Sequence, residues 1–242
     1  MFLRWATALV LAFSCWTVNA VAQSKIFVAS SLTDLFEELA IETKPGTFQI
    51  VPGGSSTLAR QIKAGAPAAL FVSANKEWAK FVAQDQKLTP LFSNSLVVVA
   101  ADDAASIQIE DLAGLLSSSR LAIADPNHVP AGIYAQQALE NLGVWPVLQK
   151  RLAPFDNVRA AARAVQIGAA RFGVVYDSDA EALGLNVVYA FPSDVHDPIE
   201  YWAVILDPND AEVGRILALA KSDAARDIVE RFGFKQRLDD VK

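Results

Sequence analysis

Short apolar runs alternate along the chain with segments of helical periodicity. The runs have the length of buried strands, whereas the helical segments repeat apolar residues at positions i, i+3, i+4 and i+7. The first helix shows this spacing at Leu32, Leu35, Phe36 and Leu39. The predicted strands cover residues 24–30, 47–51, 69–73, 95–100, 120–124, 171–176, 187–190 and 201–206. The other predicted helices cover residues 57–64, 78–82, 130–142, 158–167, 213–221 and 224–232.

Polar residues, proline and glycine mark the ends of several predicted helices. Ser31 followed by Asp34 resembles a capping box at the start of the first helix. Pro130 is suited to the first position of its helix, and Gly143 to the position after the last turn. Asn157, together with the aspartate before it, is suited to cap the helix that follows.

The alternation of strands and helices predicts an α/β protein whose mainly parallel sheets are covered by helices. The pattern divides into two such units. The apolar strand at 95–100 leads out of the first unit, and the strand at 201–206 leads back. We therefore predict a discontinuous first lobe at 24–100 and 201–242, and a second lobe at 101–200. Such crossing strands can act as a hinge between lobes.

The first 22 residues have the features of an export signal. Arg4 supplies a positive charge, residues 6–13 form an apolar run, and the sequence AVA provides small residues for cleavage before Gln23. A membrane anchor is the alternative, but the run is shorter than the roughly 20 residues that span a bilayer. Residues 1–22 are therefore predicted to be a signal peptide, and the mature protein is expected in the periplasm.

Composition narrows the chemistry of the mature chain. Cys15, the single cysteine, lies in the predicted signal, which excludes disulfides, thiolate metal sites and a cysteine nucleophile after cleavage. Without Arg4 the chain has 20 basic and 27 acidic residues, a net charge of −7, and no basic cluster. Nucleic acids and anionic membrane surfaces are therefore poor partners.

One local arrangement recurs where a strand ends, a short polar or Gly/Pro loop follows, and a helix starts. A helix N-terminus presents unpaired N–H groups and about half a positive charge from the helix dipole. In open α/β sheets these ends gather where ligands bind. Several of them facing one cleft would form an anion site without basic side chains. The arrangement occurs at Ser31, Ser55-Ser56, Pro130-Ala131 and Asn157-Val158.

Each of these positions also has an ordinary structural explanation. Ser31 is suited to be a helix cap in any protein, and the sequence GGSS at residues 53–56, before the second predicted helix, is typical of a turn. Ala131 and Val158 offer only backbone N–H groups. Tyr176 ends a predicted strand, where a buried tyrosine usually needs just one hydroxyl partner.

Catalytic chemistry has weaker support. Ser55 is not in a GxSxG motif, because Thr57 occupies the last glycine position. His128 and His196 are the only histidines of the sequence, which leaves few options for a Ser-His-Asp triad. No HExxH, Walker A or GxGxxG motif occurs. A secreted hydrolase that uses Ser55 or Ser56 stays a minor alternative.

Six segments in fixed order carry a family resemblance from about residue 26 to the C-terminus. They are ASSLTDLFEELA, GGSSTLARQIKAGAPAALFVSANKEW, NSLVVVA, DPNHVPAGIYAQQALENLG, LAPFDNVRAA and FGVVYDSDA. Together they resemble the periplasmic molybdate-binding proteins, the ModA family; the combination is specific, although no single motif is. The resemblance implies a two-lobed type II periplasmic binding protein that serves an ABC transporter and has no catalytic activity.

The resemblance also implies which residues hold the ligand. In the family, two serines, backbone N–H groups and a tyrosine hydroxyl bind the oxyanion. By motif these are Ser31 in SSLTD, Ser55 in GGSSTLAR, Ala131 in HVPAGIY, Val158 in DNVRAA and Tyr176 in GVVYDSDA. These positions coincide with the helix starts and the strand end selected from the pattern alone.

The chain departs from the family pattern in two places. Gly53-Gly54 stands where Ala-Ser or similar small residues are common, and Ala69 replaces a common acidic residue. We expect the glycines to keep the tight turn, and Ala69 to affect loop packing rather than ligand choice.

The resemblance predicts molybdate, and also tungstate, as the ligand, with a membrane permease as partner, a monomeric protein and no cofactor. A pocket that offers only donors would reject phosphate, because phosphate carries a proton that needs an acceptor. The alternatives are a binding protein for sulfate or another small anion, and an extracytoplasmic sensor domain of the same fold.

Overall fold

The computed structural model describes residues 23–101, 104–116 and 119–236. The predicted signal peptide at residues 1–22 lies outside the described residues. Within these ranges, no helix is both long and apolar enough to cross a membrane.

Strands and helices alternate through most of this part of the chain, as the sequence pattern predicts. The strands are β1 (Ser24–Ala29), β2 (Phe48–Gly53), β3 (Leu70–Ser73), β4 (Leu88–Ser93), β5 (Leu96–Ala100), β6 (Leu121–Ala124), β7 (Leu152–Phe155), β8 (Phe172–Tyr176), β9 (Asn186–Ala190), β10 (Glu200–Ile205) and β11 (Lys235–Gln236). The helices are α1 (Thr33–Thr43), α2 (Ser55–Lys63), α3 (Lys76–Ala83), α4 (Leu112–Leu115), α5 (Pro130–Asn141), α6 (Trp145–Leu148), α7 (Val158–Gln166), α8 (Asp177–Leu183), α9 (Ala211–Ala220) and α10 (Arg226–Arg231). Short 3-10 turns cover Ser30–Leu32, Ile109–Asp111, Gln149–Arg151 and Asp223–Ala225.

Two sheets organise the two lobes. The first has six strands in the order β11-β4-β10-β3-β1-β2, and the second has five in the order β7-β6-β8-β5-β9. β1 pairs in parallel with β2 and β3, and β6 with β7 and β8. β10 and β5 run antiparallel to both of their neighbours. The two-lobed α/β fold is confirmed, but its sheets are mixed rather than mainly parallel, because the strands that follow the crossings enter each sheet in the opposite direction.

The first crossing between the sheets lies earlier than the sequence predicts. The predicted first lobe includes residues 24–100, yet β5 pairs with β8 and β9 of the second sheet. The chain therefore leaves the first sheet at Asn94, directly after β4, and returns to it at β10. The two crossings meet where the backbone N–H of Asn94 donates to the carbonyl of Ile199 at 3.1 Å.

Six strands and helices of the described residues are missing from the sequence prediction: β4, β7, β11, α4, α6 and α8. β4 and β7 contain Pro90 and Pro154, which interrupt the pattern of a strand and are tolerated at edges and irregularities. β7 is an edge strand, and the pairing of β10 with β4 shifts register beside Pro90. α8 follows β8 without a loop, so no turn residues announce it.

Successive residues of the central strands pack on opposite faces of the first sheet. Ile26 of β1 belongs to the same buried cluster as Phe36 of α1, whereas its neighbour Phe27 packs with Leu58 of α2. On β3, Val72 and Phe71 divide between the same two clusters. Because helices cover both faces, these strands contain continuous apolar runs, at residues 26–29 and 70–72, instead of alternating with polar residues.

Candidate functional site

One small cavity brings together all the site residues that the sequence selects. Ser31, Ser55, Ala131, Val158 and Tyr176 line the same space. The remaining lining consists of small or apolar residues: Ala29, Ser30, Gly53, Gly54, Ala74, Val129 and Pro130. Among the described residues that line this cavity none is charged, so its polarity comes from hydroxyl and backbone groups.

Three helices begin at the cavity wall. α2 begins at Ser55 with Gly54 as its N-cap, α5 begins at Pro130, and α7 begins at Val158. The N–H groups of a first helical turn have no acceptor within the helix, and the helix dipole makes this end positive. Ser55, Ala131 and Val158 therefore place N–H groups suited to an anion around one space.

The structure corrects two details of the predicted helix starts. Ser31 lies in the 3-10 turn before α1, and its side chain caps neither that turn nor the helix. α2 starts at Ser55 with Gly54 as its N-cap, two residues before the predicted helix at 57–64. The predicted cap of α7 is present, because the Asn157 side chain accepts from the third residue of the helix.

The hydroxyls of Ser31 and Ser55 each lie within hydrogen-bond distance of a protein partner. The oxygen of Ser55 accepts the backbone N–H of Ala74 at 3.0 Å. The oxygen of Ser31 lies 2.8 Å from the hydroxyl of Tyr201. Ser31 and Ser55 are both buried, so a hydroxyl whose oxygen already accepts has its own proton left to donate.

Tyr176 has a buried hydroxyl with no partner. The side chain ends β8 at 1% exposure, and the hydroxyl has no hydrogen bond to any of the described residues. Burial raises the pKa of Tyr176 well above its ordinary value, so the group keeps its proton. A buried polar group without a partner costs about 1–3 kcal/mol, and a bound acceptor in the cavity would remove that cost.

An ion-pair cluster centred on Arg159 of α7 lies outside the cavity lining. Arg159 bonds Asp179 of α8 and Asp34 of α1, both at 2.7 Å, and so links the two lobes. Burial raises the pKa of Asp179 to about 6, against the opposing effect of Arg159. The cation is therefore paired within the protein. In the part of the chain that the structure describes, no group of three or more His, Cys, Asp and Glu residues could hold a metal ion.

The lobes are closed over the cavity. The indole N–H of Trp78 in α3 donates to the carbonyl of His128 in the second lobe at 2.8 Å. Gly54 lies so close to the carbonyl oxygen of Asp156 that a Cβ at this position would overlap with it. A side chain there would hold the lobes apart, which explains why the tight turn before α2 needs glycine.

One arrangement has the residues of a catalytic triad but not its geometry. The hydroxyl of Ser56 lies 2.9 Å from Nδ1 of His128, and Nε2 of His128 lies 3.6 Å from a carboxylate oxygen of Asp125. Ser56 is fully buried and does not line the cavity, so a substrate has no access to its oxygen. Ser55 lines the cavity but bonds a backbone N–H rather than a histidine. The hydrolase alternative therefore lacks a usable nucleophile at either serine.

Sequence reasoning missed three residues of this site: Asn94, Tyr201 and Arg159. The hydroxyl of Tyr201 contacts Ser31, and the side chain of Asn94 contacts Tyr201. Arg159 directly follows Val158 in α7. Tyr201 lies within an apolar strand pattern, where a tyrosine looks like any other core residue. Only Arg159 carried a signal, since it is a charged residue in the first turn of a helix that is otherwise rich in alanine and valine.

Two sheets, two crossings and a polar cavity closed between the lobes define a two-lobed solute-binding protein. A family model described as bacterial extracellular solute-binding protein matches residues 20–235. The chain belongs to this family of bacterial extracellular solute-binding proteins. The resemblance to the molybdate-binding ModA proteins that the sequence segments indicate is confirmed by the relatives that follow.

Three similar proteins illustrate the relationship. The molybdate-binding protein ModA of Escherichia coli is 41% identical, over 89% of this chain and 91% of that protein. The ModA protein of Haemophilus influenzae is 33% identical, over 96% of this chain and 97% of that protein. The solved structure of the periplasmic molybdate-binding protein of Azotobacter vinelandii matches with a TM-score of 0.78 at 22% identity, and covers 88% of this chain and 98% of that one.

Proposed function

We propose that this protein captures molybdate, and also tungstate, in the cavity between its lobes and delivers it to an ABC importer. The observation that carries the proposal is the buried hydroxyl of Tyr176, a cavity-lining residue, which has no hydrogen-bond partner among the described residues. The same cavity is lined by Ser31 and Ser55, whose oxygens already have protein partners. The cavity therefore needs acceptors from a ligand and offers donors on several sides, which suits a fully deprotonated tetrahedral oxyanion.

The proposed contacts are the hydroxyls of Ser31, Ser55 and Tyr176 and the backbone N–H groups of Ala131 and Val158. Burying a dianion is costly unless it is hydrogen-bonded on all sides. Hydrogen bonds to a charged group contribute roughly 1.5–3 kcal/mol each, so donors of this kind offset much of the desolvation. Closure of the lobes strengthens each bond by excluding water.

The relatives support molybdate as the ligand. Two of them that carry the name molybdate-binding protein align over nearly the whole chain at 41% and 33% identity. Sulfate is the second candidate, because it is also fully deprotonated near neutral pH and only accepts hydrogen bonds. The residues of the cavity do not by themselves distinguish the two ions, which differ mainly in size.

Isothermal titration calorimetry of the mature protein with molybdate, tungstate, sulfate and phosphate tests the proposal. We expect tight binding of molybdate and tungstate, much weaker binding of sulfate, and no binding of phosphate. A thermal-shift panel gives an independent readout, because a ligand stabilises the folded state by RT ln(1 + [L]/Kd). Tighter binding of sulfate than of molybdate would assign the protein to sulfate instead.

The proposal includes a periplasmic, monomeric and non-catalytic protein. Export is supported by the signal-like features of residues 1–22, and the non-catalytic role by the buried position of Ser56 beside His128. The N-terminal sequence of the protein recovered from a periplasmic extract should begin at Gln23. Stimulation of a reconstituted permease by the molybdate-loaded protein would separate an importer subunit from a sensor domain.

A further inference from the structure

We propose that Asn94 and Tyr201 fix the direction in which Ser31 donates, and that they thereby exclude oxyanions that carry a proton. The inference rests on the proposed function, since it explains how the same cavity selects among anions. Neither residue lines the cavity. Both lie where the crossings meet the first sheet, Asn94 directly after β4 and Tyr201 in β10.

The chain of hydrogen bonds starts with an amide whose orientation is fixed. The side-chain oxygen of Asn94 accepts the backbone N–H of Ser95 at 2.8 Å. Its nitrogen must then face the other way, toward the hydroxyls of Tyr201 at 3.2 Å and Ser178 at 2.8 Å. An amide nitrogen only donates, so the hydroxyl oxygen of Tyr201 is the acceptor in this bond.

The proton of Tyr201 then has one acceptor within reach among the described residues. Tyr201 is fully buried, and the oxygen of Ser31 lies 2.8 Å from its hydroxyl. If Ser31 donated instead, the proton of Tyr201 would be buried without a partner, which is unfavourable. Burial raises the pKa of Tyr201, so its proton is retained. In the direction Asn94 to Tyr201 to Ser31, the donor left without a protein partner is Ser31, which lines the cavity, rather than Tyr201, which does not.

This direction decides what the cavity can bind. The oxygen of Ser31 accepts the proton of Tyr201, and the proton of Ser31 is left for the ligand. Ser55 is arranged in the same way, because its oxygen accepts the backbone N–H of Ala74. Molybdate, tungstate and sulfate are fully deprotonated and satisfy both donors. Phosphate near neutral pH brings a proton of its own, and the engaged serine oxygens are poor acceptors for it.

Two substitutions distinguish the direction of the hydrogen bond at Ser31 from the mere presence of a contact to Ser31. Tyr201→Phe removes the donor behind Ser31 and frees the serine oxygen to accept. Asn94→Asp keeps an acceptor for the backbone N–H of Ser95 but places an acceptor in front of Tyr201. Tyr201 then donates to the aspartate, Ser31 donates to Tyr201, and the oxygen of Ser31 presents its remaining lone pair to the cavity.

The decisive quantity is the ratio of the phosphate to the molybdate dissociation constant, measured by calorimetry for both variants. For the wild type, where no phosphate binding is expected, the highest phosphate concentration tested sets a lower limit on this ratio. We expect Tyr201→Phe to weaken molybdate binding about tenfold and to lower the ratio by at least tenfold. Asn94→Asp should lower the ratio further. The constants are compared above the second pKa of phosphate, where phosphate keeps one proton and is a dianion like molybdate, so that the added negative charge of the aspartate weakens both anions to a similar extent. Tyr189→Phe, on β9 outside the cavity lining, should change neither constant.

The inference is overturned if molybdate and phosphate weaken by the same factor in both variants. It is equally overturned if phosphate binding stays undetectable in variants that still bind molybdate. Should Asn94→Asp abolish molybdate binding, Tyr201→Phe decides alone, and thermal unfolding of each variant shows that it is folded. A wild-type protein that does not bind molybdate refutes the proposed function instead; the ratio of phosphate to whichever deprotonated anion binds then still tests the direction.

Discussion

Replacing Tyr176 with phenylalanine should separate ligand binding from stability, because the two effects have opposite signs. The substitution removes a single oxygen and leaves the ring, which packs edge-on against Tyr201 with centroids 6.1 Å apart. The lost hydroxyl has no hydrogen bond within the described residues. The substitution therefore breaks no hydrogen bond among these residues.

The expected loss of affinity follows from the single bond that the hydroxyl would make to the anion. A hydrogen bond to a charged group contributes about 1.5–3 kcal/mol, and 1.4 kcal/mol corresponds to a tenfold change in Kd. The dissociation constant for molybdate should therefore rise roughly 10- to 150-fold. The free energy of unfolding of the ligand-free protein should stay the same or rise, because a buried unpaired polar group costs about 1–3 kcal/mol.

Calorimetry with molybdate measures the first effect, and urea unfolding of ligand-free protein measures the second. Tyr189→Phe is the matched control, because Tyr189 lies on β9 away from the cavity. An unchanged dissociation constant in Tyr176→Phe would show that the hydroxyl does not touch the ligand. A clear loss of ligand-free stability would show that the hydroxyl is structural, and either result would refute the reasoning.

Three further predictions concern lobe closure, the second serine and pH. Gly54→Ala should keep the lobes apart, since its Cβ would overlap with the carbonyl of Asp156; we expect loss of molybdate binding and a larger radius of gyration in small-angle scattering. Ser55→Ala should weaken binding by about 1.5–3 kcal/mol in calorimetry and also lower stability in urea, because the N–H of Ala74 loses its acceptor. The pKa of Asp179 is raised from 3.8 to about 6. Its contribution to stability is therefore most favourable below about pH 4 and is lost as the pH rises to about 6. Relative to Asp179→Asn, the wild type should lose up to about 3 kcal/mol of unfolding free energy across this range.

Each of these predictions has a matched control in the chain. Gly214→Ala adds the same methyl group in α9, where nothing lies within 4 Å, and should leave binding unchanged. Ser106→Ala and Asp227→Asn alter exposed residues away from the cavity and should have no comparable effect. Normal molybdate binding by Gly54→Ala would contradict the close approach of the lobes. A stability difference that grows with pH would contradict the sign assigned to Asp179.

Much of the fold was predictable because the strands and helices obey simple periodicities. Buried strands such as β1 and β3 contain continuous apolar runs, and α5 and α7 have recognisable N-terminal residues. The proline-containing strands β4 and β7 were missed for the physical reason that proline weakens the local pattern. The assignment of β5 to the first lobe was wrong, because an apolar run does not reveal which sheet it joins.

The cavity-lining residues of the site were easier to select than their supports. Helix starts such as Ser55 and Val158 are visible in the sequence, and all the selected residues line one cavity; their role as ligands stays a prediction. Tyr201 lies 170 residues from the serine that it contacts. Only the paired sheets bring such residues together, so a single sequence gives no sign of the contact.

The strand order of the first sheet also determines the order in which the two lobes can be completed. β10 lies between β3 and β4, which are paired to each other only through it. All five strands of the second sheet, by contrast, lie within the continuous segment from β5 to β9. During synthesis, which proceeds from the N-terminus, all strands of the second lobe can therefore be present while the first lobe still lacks its central strand β10. Long-range pairing of this kind slows folding, so a newly made chain remains unfolded for longer.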